Sequence, residues 1–434
     1  MKEIGIGLLG FGTIGAGVVE GLQKNGDIIA QRTGAKLVLR KIADLDLDRD
    51  RGVEVARSLL TRDAEFVIKD PSVDIVVELV GGTGIALDFV LKALALGKPV
   101  VTANKALLAE KGEEIYRVAL EKGTAVYCEA SVGGGIPIIK ALREGLVANH
   151  IQSVYGILNG TCNYILTRME QERLPFGLML KAAQAAGYAE AEPSLDIDGI
   201  DTAHKAVILA SLAYGFPVPM KSVHVEGIRG LDPADIANAA ELGYRIKLLG
   251  VIKRVGQEVE VRVHPTLVPH SHMLASVGGV FNAIWVSGDI VGDTLYYGCG
   301  AGRAATSSAV LSDLADVARD LQNGSKGRPS AFVRNGVEGS CAIRAIGDIE
   351  TRYYLRLSLL DKPGVLAKVA QVLGKNQVSI ASVMQKEARL GEHVPVIVVT
   401  HQAKESGFRA ALKEIDALDV VGAPTVRLRI EDFA

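Results

Sequence analysis

The opening stretch of the chain alternates short apolar runs with amphipathic ones. Residues 4–9 form an apolar run ending in Gly10-Phe11-Gly12-Thr13-Ile14-Gly15, and a helical pattern follows over 15–30. Residues 36–43 read as a second strand closed by Asp44. Residues 74–80 and 99–102 read as further strands, with helices over 85–96 and 110–122 and another strand at 125–128. Strands of nearly continuous apolar character alternating with helices predict an α/β fold, a parallel doubly wound sheet covered on both faces.

The pattern changes near Glu129. A glycine cluster at Gly133, Gly134 and Gly135 precedes helical patterns around 138–145, 164–171 and 202–212, then strand-like pieces at 247–252, 258–263 and 280–286. This middle region reads as an α+β substrate and oligomerisation domain. Residues 306–321 form an amphipathic helix, and 322–329 are the best linker candidate. Beyond it come a strand at 353–360, a helix at 364–374, strands at 379–385 and 393–400, a helix at 407–418 and a strand at 425–430. That βαββαβ order predicts a ferredoxin-like unit.

Composition narrows the function classes. The 434 residues suit two or three domains, and 48% hydrophobic residues supply large cores. A formal net charge of −2 leaves no footprint for nucleic acid or an anionic membrane. No run of about 18 apolar residues predicts a membrane-spanning helix, and the N-terminal residues lack the pattern of a signal peptide. Cys128, Cys162, Cys299 and Cys341 are scattered, with neither metal-ligand spacing nor a disulfide framework. They read as reduced thiols of a cytoplasmic protein.

The glycine motif follows a strand and opens a helix, which gives it physical meaning. Gly10 permits a tight turn, Gly12 lets backbone approach a pyrophosphate at the helix N-terminus, and Gly15 allows close helix–strand packing. Phe11, Thr13 and Ile14 complete this dinucleotide-binding turn, and Asp44 lies where a ribose-binding carboxylate would sit. Arg40, Lys41, Arg49 and Arg51 are near enough in sequence to meet a 2′-phosphate, so NAD and NADP both remain open. Thr102-Ala103-Asn104-Lys105 places Lys105 at the carboxyl edge of the sheet, where ligands bind. Asp201 and Lys205 are four apart and share one face of a helix. Spacing alone allows either a catalytic pair or an ordinary surface ion pair.

Together these pieces resemble the homoserine dehydrogenase family over nearly the whole chain. The resemblance rests on GFGTIG at 10–15, ELVGG at 78–82, TANK at 102–105 and EASVGGGIPII at 129–139. It continues through LNGTCNYIL at 158–166, GYAEAEPSLDIDGIDTAHK at 187–205 and GCGAG at 298–302. It implies a Rossmann domain over 1–130 completed by the helix at 306–321, a catalytic and dimerisation domain over 131–305, and a linker region over 322–349. Residues 350–434 resemble an ACT domain, with Asp361-Lys362-Pro363-Gly364-Val365-Leu366 as its effector loop and threonine as the implied effector; a purely dimerising role is the other reading.

By the same resemblance, the substrates are homoserine and aspartate semialdehyde. Lys105 and Lys205 would handle the hydroxyl proton, while Glu192, Asp196 and Asp201 hold the substrate ammonium and orient Lys205. Glu129, Val132 and Gly134 match a loop that binds a monovalent cation, usually sodium, mostly through carbonyl oxygens. A homodimer or homotetramer is implied. The chemistry is coherent: an alcohol oxidation needs a hydride acceptor and a proton acceptor, and a lysine can be tuned for the latter by its surroundings. The turn at 298–306 departs from the family in carrying Cys299 and Ala305 where prolines are usual; Cys299 reads as a tolerated substitution beside the active site rather than a nucleophile. Two other readings remain: an acylating dehydrogenase, which needs a thiolate and a histidine base, and a non-catalytic sensor.

Overall fold

Strand β1 (Lys2–Leu9) is buried from Ile4 onward and forms the centre of a parallel sheet. Its companions are β2 (Ala35–Ala43), β3 (Leu60–Thr61), β4 (Ile75–Glu78), β5 (Val100–Thr102) and β6 (Val126–Tyr127), in the order β3-β2-β1-β4-β5-β6. The order reverses between β1 and β4, which opens a crevice at their carboxyl ends. The computed structural model that gives this arrangement describes residues 1–325, 332, 342–385 and 392–433. Most of the expected linker at 322–349, and Cys341, lie outside the described residues.

The chain divides into two compact units. The first comprises Met1–Gly160, Asp201–Val223 and Phe281–Cys341. In it, helix α1 (Thr13–Thr33) packs against the helix Arg303–Gln322 at very close range. A Cβ added to Gly17 would stand 2.8 Å from Ser307 Oγ, and one on Gly21 would stand 2.4 Å from Leu311 Cδ1. Two glycines on one face of α1 therefore let the later helix join the sheet's core, where Val310, Leu314 and Val317 pack with Ile4, Ile6 and Val18. Helices α2 (Ala64–Lys69), α3 (Ile85–Ala95) and α4 (Lys105–Glu121) follow β3, β4 and β5 in turn. Strands Ile151–Ile157, Phe281–Gly288 and Gly292–Cys299 form an antiparallel piece. The helix Ile200–Tyr214 is buried continuously from Asp201 to Ser211, the signature of a core helix rather than a surface one.

The second unit holds Thr161–Ile200, His224–Val280 and Ala342–Ala434. The segment expected as one domain over 131–305 is thus divided between the two units, and the C-terminal region shares a unit with part of it. Strands Tyr244–Val255 and Glu258–Pro269 pair antiparallel over their full length. The strands of the C-terminal region stand in the order Val421–Ile430, Glu350–Leu360, His393–Thr400, Ile380–Gln385, with helices Val365–Lys375 and Glu405–Asp416, which is the ferredoxin-like arrangement. Val421–Ile430 also runs parallel to Glu258–Pro269, through Thr266 opposite Arg429 and Leu267 opposite Ile430. Buried charges line this seam: Arg262 engages Glu260 and Glu431, and Arg429 engages Glu226 and Glu405.

Candidate active site

The site begins with the ends of β4 and β5. Glu78, fully buried at the end of β4, accepts from the backbone N–H groups of Val80 and Gly81 and from the Thr102 hydroxyl, the last at 2.6 Å. Thr102 Oγ1 in turn accepts from Asn104 N–H at 3.0 Å. The Asn104 side chain caps α4 by accepting from Leu107 N–H, and its amide donates to the Gly82 carbonyl at 2.7 Å. Three polar residues from two sequence motifs therefore fix where α4 starts, and Lys105 is its first residue.

Lys105 Nζ lies 2.9 Å from Asp201 Oδ1, and Lys205 Nζ lies 2.7 Å from the other carboxylate oxygen. Asn159 donates to that same Oδ2 at 2.9 Å, and Lys205 also donates to the Leu158 carbonyl at 2.6 Å. Asp201 is 5% and Lys205 8% exposed. The four-residue spacing therefore marks a buried ion pair, not the surface pair that spacing alone allowed. Burial by itself would raise the Asp201 pKa. The charges of Lys205 and Lys105, with the bonds from Lys205 and Asn159, outweigh it and hold the carboxyl well below the usual carboxylate range. The arrangement is a fixed negative charge carrying two amines, one buried and one, Lys105, with 43% of its side chain exposed. It can pass a proton and stabilise a developing alkoxide. His204 and Glu110, not anticipated from sequence, stand beside this cluster.

Glu192 and Asp196 belong to the second unit. Glu192 is exposed and accepts from Ser194 N–H and hydroxyl, bonds that lower its pKa; Asp196 sits in the short helix Ser194–Ile197. The structure brings Lys105, Asp201 and Lys205 together within the first unit. Next to Glu192 and Asp196 in sequence, Asp198 pairs with Arg229.

At the glycine turn, Gly10 takes a positive φ of 94°, a conformation that favours glycine. A Cβ on Gly15 would stand 2.3 Å from the Gly10 carbonyl oxygen, whereas one on Gly12 meets nothing within 4 Å. Gly12 caps α1 without a side-chain bond, and the first turn of α1 carries no acidic residue. This leaves the N-terminus open to an anion. A cavity of about 820 Å³ is lined by Gly10, Gly12, Asp44, Thr61, Arg62 and Val80. Asp44 accepts from Phe11 N–H at 2.5 Å and pairs with Arg51 at 3.2 Å, while Arg51 also bonds the Phe11 carbonyl and lies 4.9 Å over the Phe11 ring. Arg40, expected at the cofactor, instead pairs with Glu3 at 2.8 Å, near the start of β1 and away from the glycine turn. The donor set of this turn fits a dinucleotide: a free helix N-terminus, a close-approach glycine and a carboxylate closing β2.

In the loop expected to hold a cation, the Glu129 carboxylate accepts from Ile139 and Lys140 N–H groups, both at 2.9 Å, so that side chain caps a helix. Glu129 N–H donates to the buried Asp313. Gly133 and Gly134 take positive φ, and a Cβ on Gly134 would stand 2.6 Å from the Gly300 carbonyl carbon and oxygen. Among the described residues no group of three or more His, Cys, Asp or Glu side chains could hold a metal. Cys299 ends an antiparallel strand, is exposed, and offers its carbonyl to Gly135 N–H. No helix among the described residues is long and apolar enough to cross a membrane.

Comparison with known proteins agrees with this geometry. The family model described as homoserine dehydrogenase matches residues 137–315, its NAD-binding domain model matches 10–129, and an ACT domain model matches 353–420. The homoserine dehydrogenase of Neisseria gonorrhoeae is 44% identical over 434 residues, covering 100% of both chains. That of Pseudomonas aeruginosa is 45% identical over 435 residues, again 100% of both. The crystal structure of a homoserine dehydrogenase from Thiobacillus denitrificans superposes with a TM-score of 0.94 at 45% identity, covering 100% of this chain and 99% of that one. A hyperthermophilic archaeal homoserine dehydrogenase in complex with NADPH matches with a TM-score of 0.61 at 26% identity, covering 76% and 99%. From its nucleotide-binding turn to its C-terminal ACT region, the chain belongs to the homoserine dehydrogenase family.

Proposed function

We propose that Lys105 and Lys205, held on the two oxygens of Asp201, carry the proton in this enzyme's NAD(P)-dependent interconversion of L-homoserine and L-aspartate 4-semialdehyde. The single observation that carries the reading is one buried carboxylate gripping both amines, at 2.9 and 2.7 Å. The bound nicotinamide supplies the hydride acceptor, or the donor in the reverse direction. Lys105 meets the substrate hydroxyl and, as the uncharged amine left when its own ammonium has given up a proton, takes the hydroxyl proton. Lys205, fixed by the Leu158 carbonyl, adds positive charge where the alkoxide develops. Glu192 and Asp196 bind the substrate ammonium.

Gly10, Phe11, Gly12, Thr13, Ile14 and Gly15 hold the pyrophosphate, and Asp44 the ribose. Arg51 pairs with Asp44, the carboxylate that closes β2, which makes it a candidate partner for a 2′-phosphate, and one archaeal relative was solved with NADPH. We therefore expect the cofactor to be NAD or NADP. The carbonyls of Glu129, Val132 and Gly134 would hold a monovalent cation, sodium by the family resemblance. The ACT region senses threonine at the loop 361–366, where Gly364 takes a positive φ of 87° to open its helix, and the protein assembles as a homodimer or homotetramer in the cytoplasm.

The test is nicotinamide absorbance with homoserine and either cofactor, for wild type and Lys105→Ala, with and without threonine. Turnover lost in a folded, cofactor-binding variant supports the lysine assignment, and threonine inhibition supports the sensing role. A variant with wild-type kcat would remove Lys105 from the chemistry.

A further inference from the structure

The buried part of the lysine cluster raises a problem of supply. Each oxidation leaves one proton on the amine that took it from the alcohol, and each reduction consumes one, while the hydride passes between substrate carbon and nicotinamide. Asp201 and Lys205 are closed off, and a ligand filling the site would shield the exposed side of Lys105 from water as well. The proton needs another way in and out.

His204 offers one. It precedes Lys205 and stands three residues after Asp201, so it shares the Asp201 side of the helix Ile200–Tyr214. It is only 8% exposed, and its Nε2 lies 4.0 Å from Glu110 Oε1, too far for a direct hydrogen bond. A single bridging water or a small rotation closes that gap. Glu110 lies on α4 five residues beyond Lys105, with 43% of its side chain exposed. The charged groups that the imidazole feels are Asp201 and Lys205 on its own helix and Lys105 and Glu110 on α4. Burial pushes its pKa below the ordinary histidine value, so at neutral pH it is an uncharged ring with one nitrogen to accept and one to donate.

We propose that His204 relays protons between the Lys105–Asp201–Lys205 cluster and solvent by way of Glu110, a positioning and relay role that rests on the lysine assignment above. In oxidation the lysine N–H proton passes to one ring nitrogen as the proton on the other leaves toward Glu110 and water. In reduction the same path runs inward. A histidine that merely fills the space between two helices would behave differently on substitution.

The experiment compares kcat, KM, the pH profile and the solvent deuterium isotope effect for wild type, His204→Asn, His204→Gln and Glu110→Gln. Cofactor titration by fluorescence verifies that each variant is folded. The relay predicts kcat lower by about tenfold or more in both His204 variants, KM for homoserine within about twofold, a larger solvent isotope effect, and saturable recovery of kcat by added imidazole. Glu110→Gln, on an exposed side chain, should show a smaller loss in the same direction. Folded His204 variants with kcat within about twofold of wild type would overturn the relay. So would a loss that imidazole does not restore and that leaves the isotope effect unchanged. Lys105→Ala separates the two layers. If it keeps wild-type kcat, the lysine assignment falls; if it is inactive with or without imidazole while His204→Asn is normal, only the relay falls.

Discussion

Replacing Asp201 by Asn tests the centre of the site. The substitution preserves shape but removes the one negative charge that faces two ammonium groups, at 2.9 and 2.7 Å, inside a region where Asp201 is 5% exposed. Breaking a buried pair by neutralising one partner costs about 3–5 kcal/mol, because the remaining charge is left uncompensated. At roughly 2–4 °C per kcal/mol for a domain of 150–250 residues, Tm should fall by about ten degrees. The carboxyl pKa is held below the usual range, so its stabilisation is present above the ordinary Asp pKa and is lost as pH falls below it. Asp201→Asn should remove that acid-side slope. The kcat for homoserine should fall about a hundredfold or more, since both amines lose their anchor. A second variant, Asp201→Leu with Lys205→Met, removes both partners of the buried pair. It should recover much of the lost Tm while staying inactive, falling short because the Leu158 carbonyl loses its donor. Differential scanning calorimetry and nicotinamide absorbance read both quantities. A single variant as stable as wild type, or a double variant no more stable than the single, would refute the buried-pair reasoning.

Other outcomes follow from the cofactor turn and the charged seam. Gly12→Ala should keep wild-type Tm yet raise the cofactor KM by about tenfold, because its Cβ enters space the protein leaves open. Gly15→Ala should lose Tm instead, since its Cβ meets the Gly10 carbonyl oxygen at 2.3 Å; equal behaviour of the two in calorimetry and kinetics would refute the distinction. Arg51→Ala should lower kcat/KM for NADP by about tenfold while sparing NAD; equal losses with both cofactors would contradict its 2′-phosphate role. Burial pushes the Glu405 pKa up, but bonds from Arg429, Tyr353 and Arg409 bring it down to about 2. Its stabilisation is therefore complete above the ordinary value of 4.5 and lost as pH falls toward 2. Acid denaturation followed by tryptophan fluorescence and circular dichroism should be shallower in Glu405→Gln; an unchanged profile would exclude this carboxylate.

Much of the first sheet was legible because its signals are local. Apolar runs, the glycine turn and the position of Lys105 after a strand all sit within a few residues of one another. Strand β3 escaped because two residues cannot show a period. The Asp201–Lys205 spacing was legible, but its burial was not: an i, i+4 pair looks the same on a core helix and on a surface one. The partners that decide the matter, Asn159 and the Leu158 carbonyl, come from a distant part of the chain. Arg40 was misplaced for a related reason. Nearness in sequence to Asp44 says nothing about which end of the strand a long side chain reaches, and Glu3 claims it. His204 carries no motif signal of its own. Its meaning arises only when α4 is laid beside its helix.

The strand Val421–Ile430 lies between Glu350–Leu360 on one side and Glu258–Pro269 on the other. It is also synthesised after both of them. Until those residues leave the ribosome, Glu350–Leu360 presents a row of unmatched N–H and C=O groups, Thr266 and Leu267 lack their neighbours, and Arg262 and Glu405 lack the partners supplied by Glu431 and Arg429. Such bare edges are templates for pairing with other chains. The second unit therefore cannot finish folding piecemeal as it is made, and a nascent or truncated chain ending before Val421 is exposed to aggregation through that bare edge.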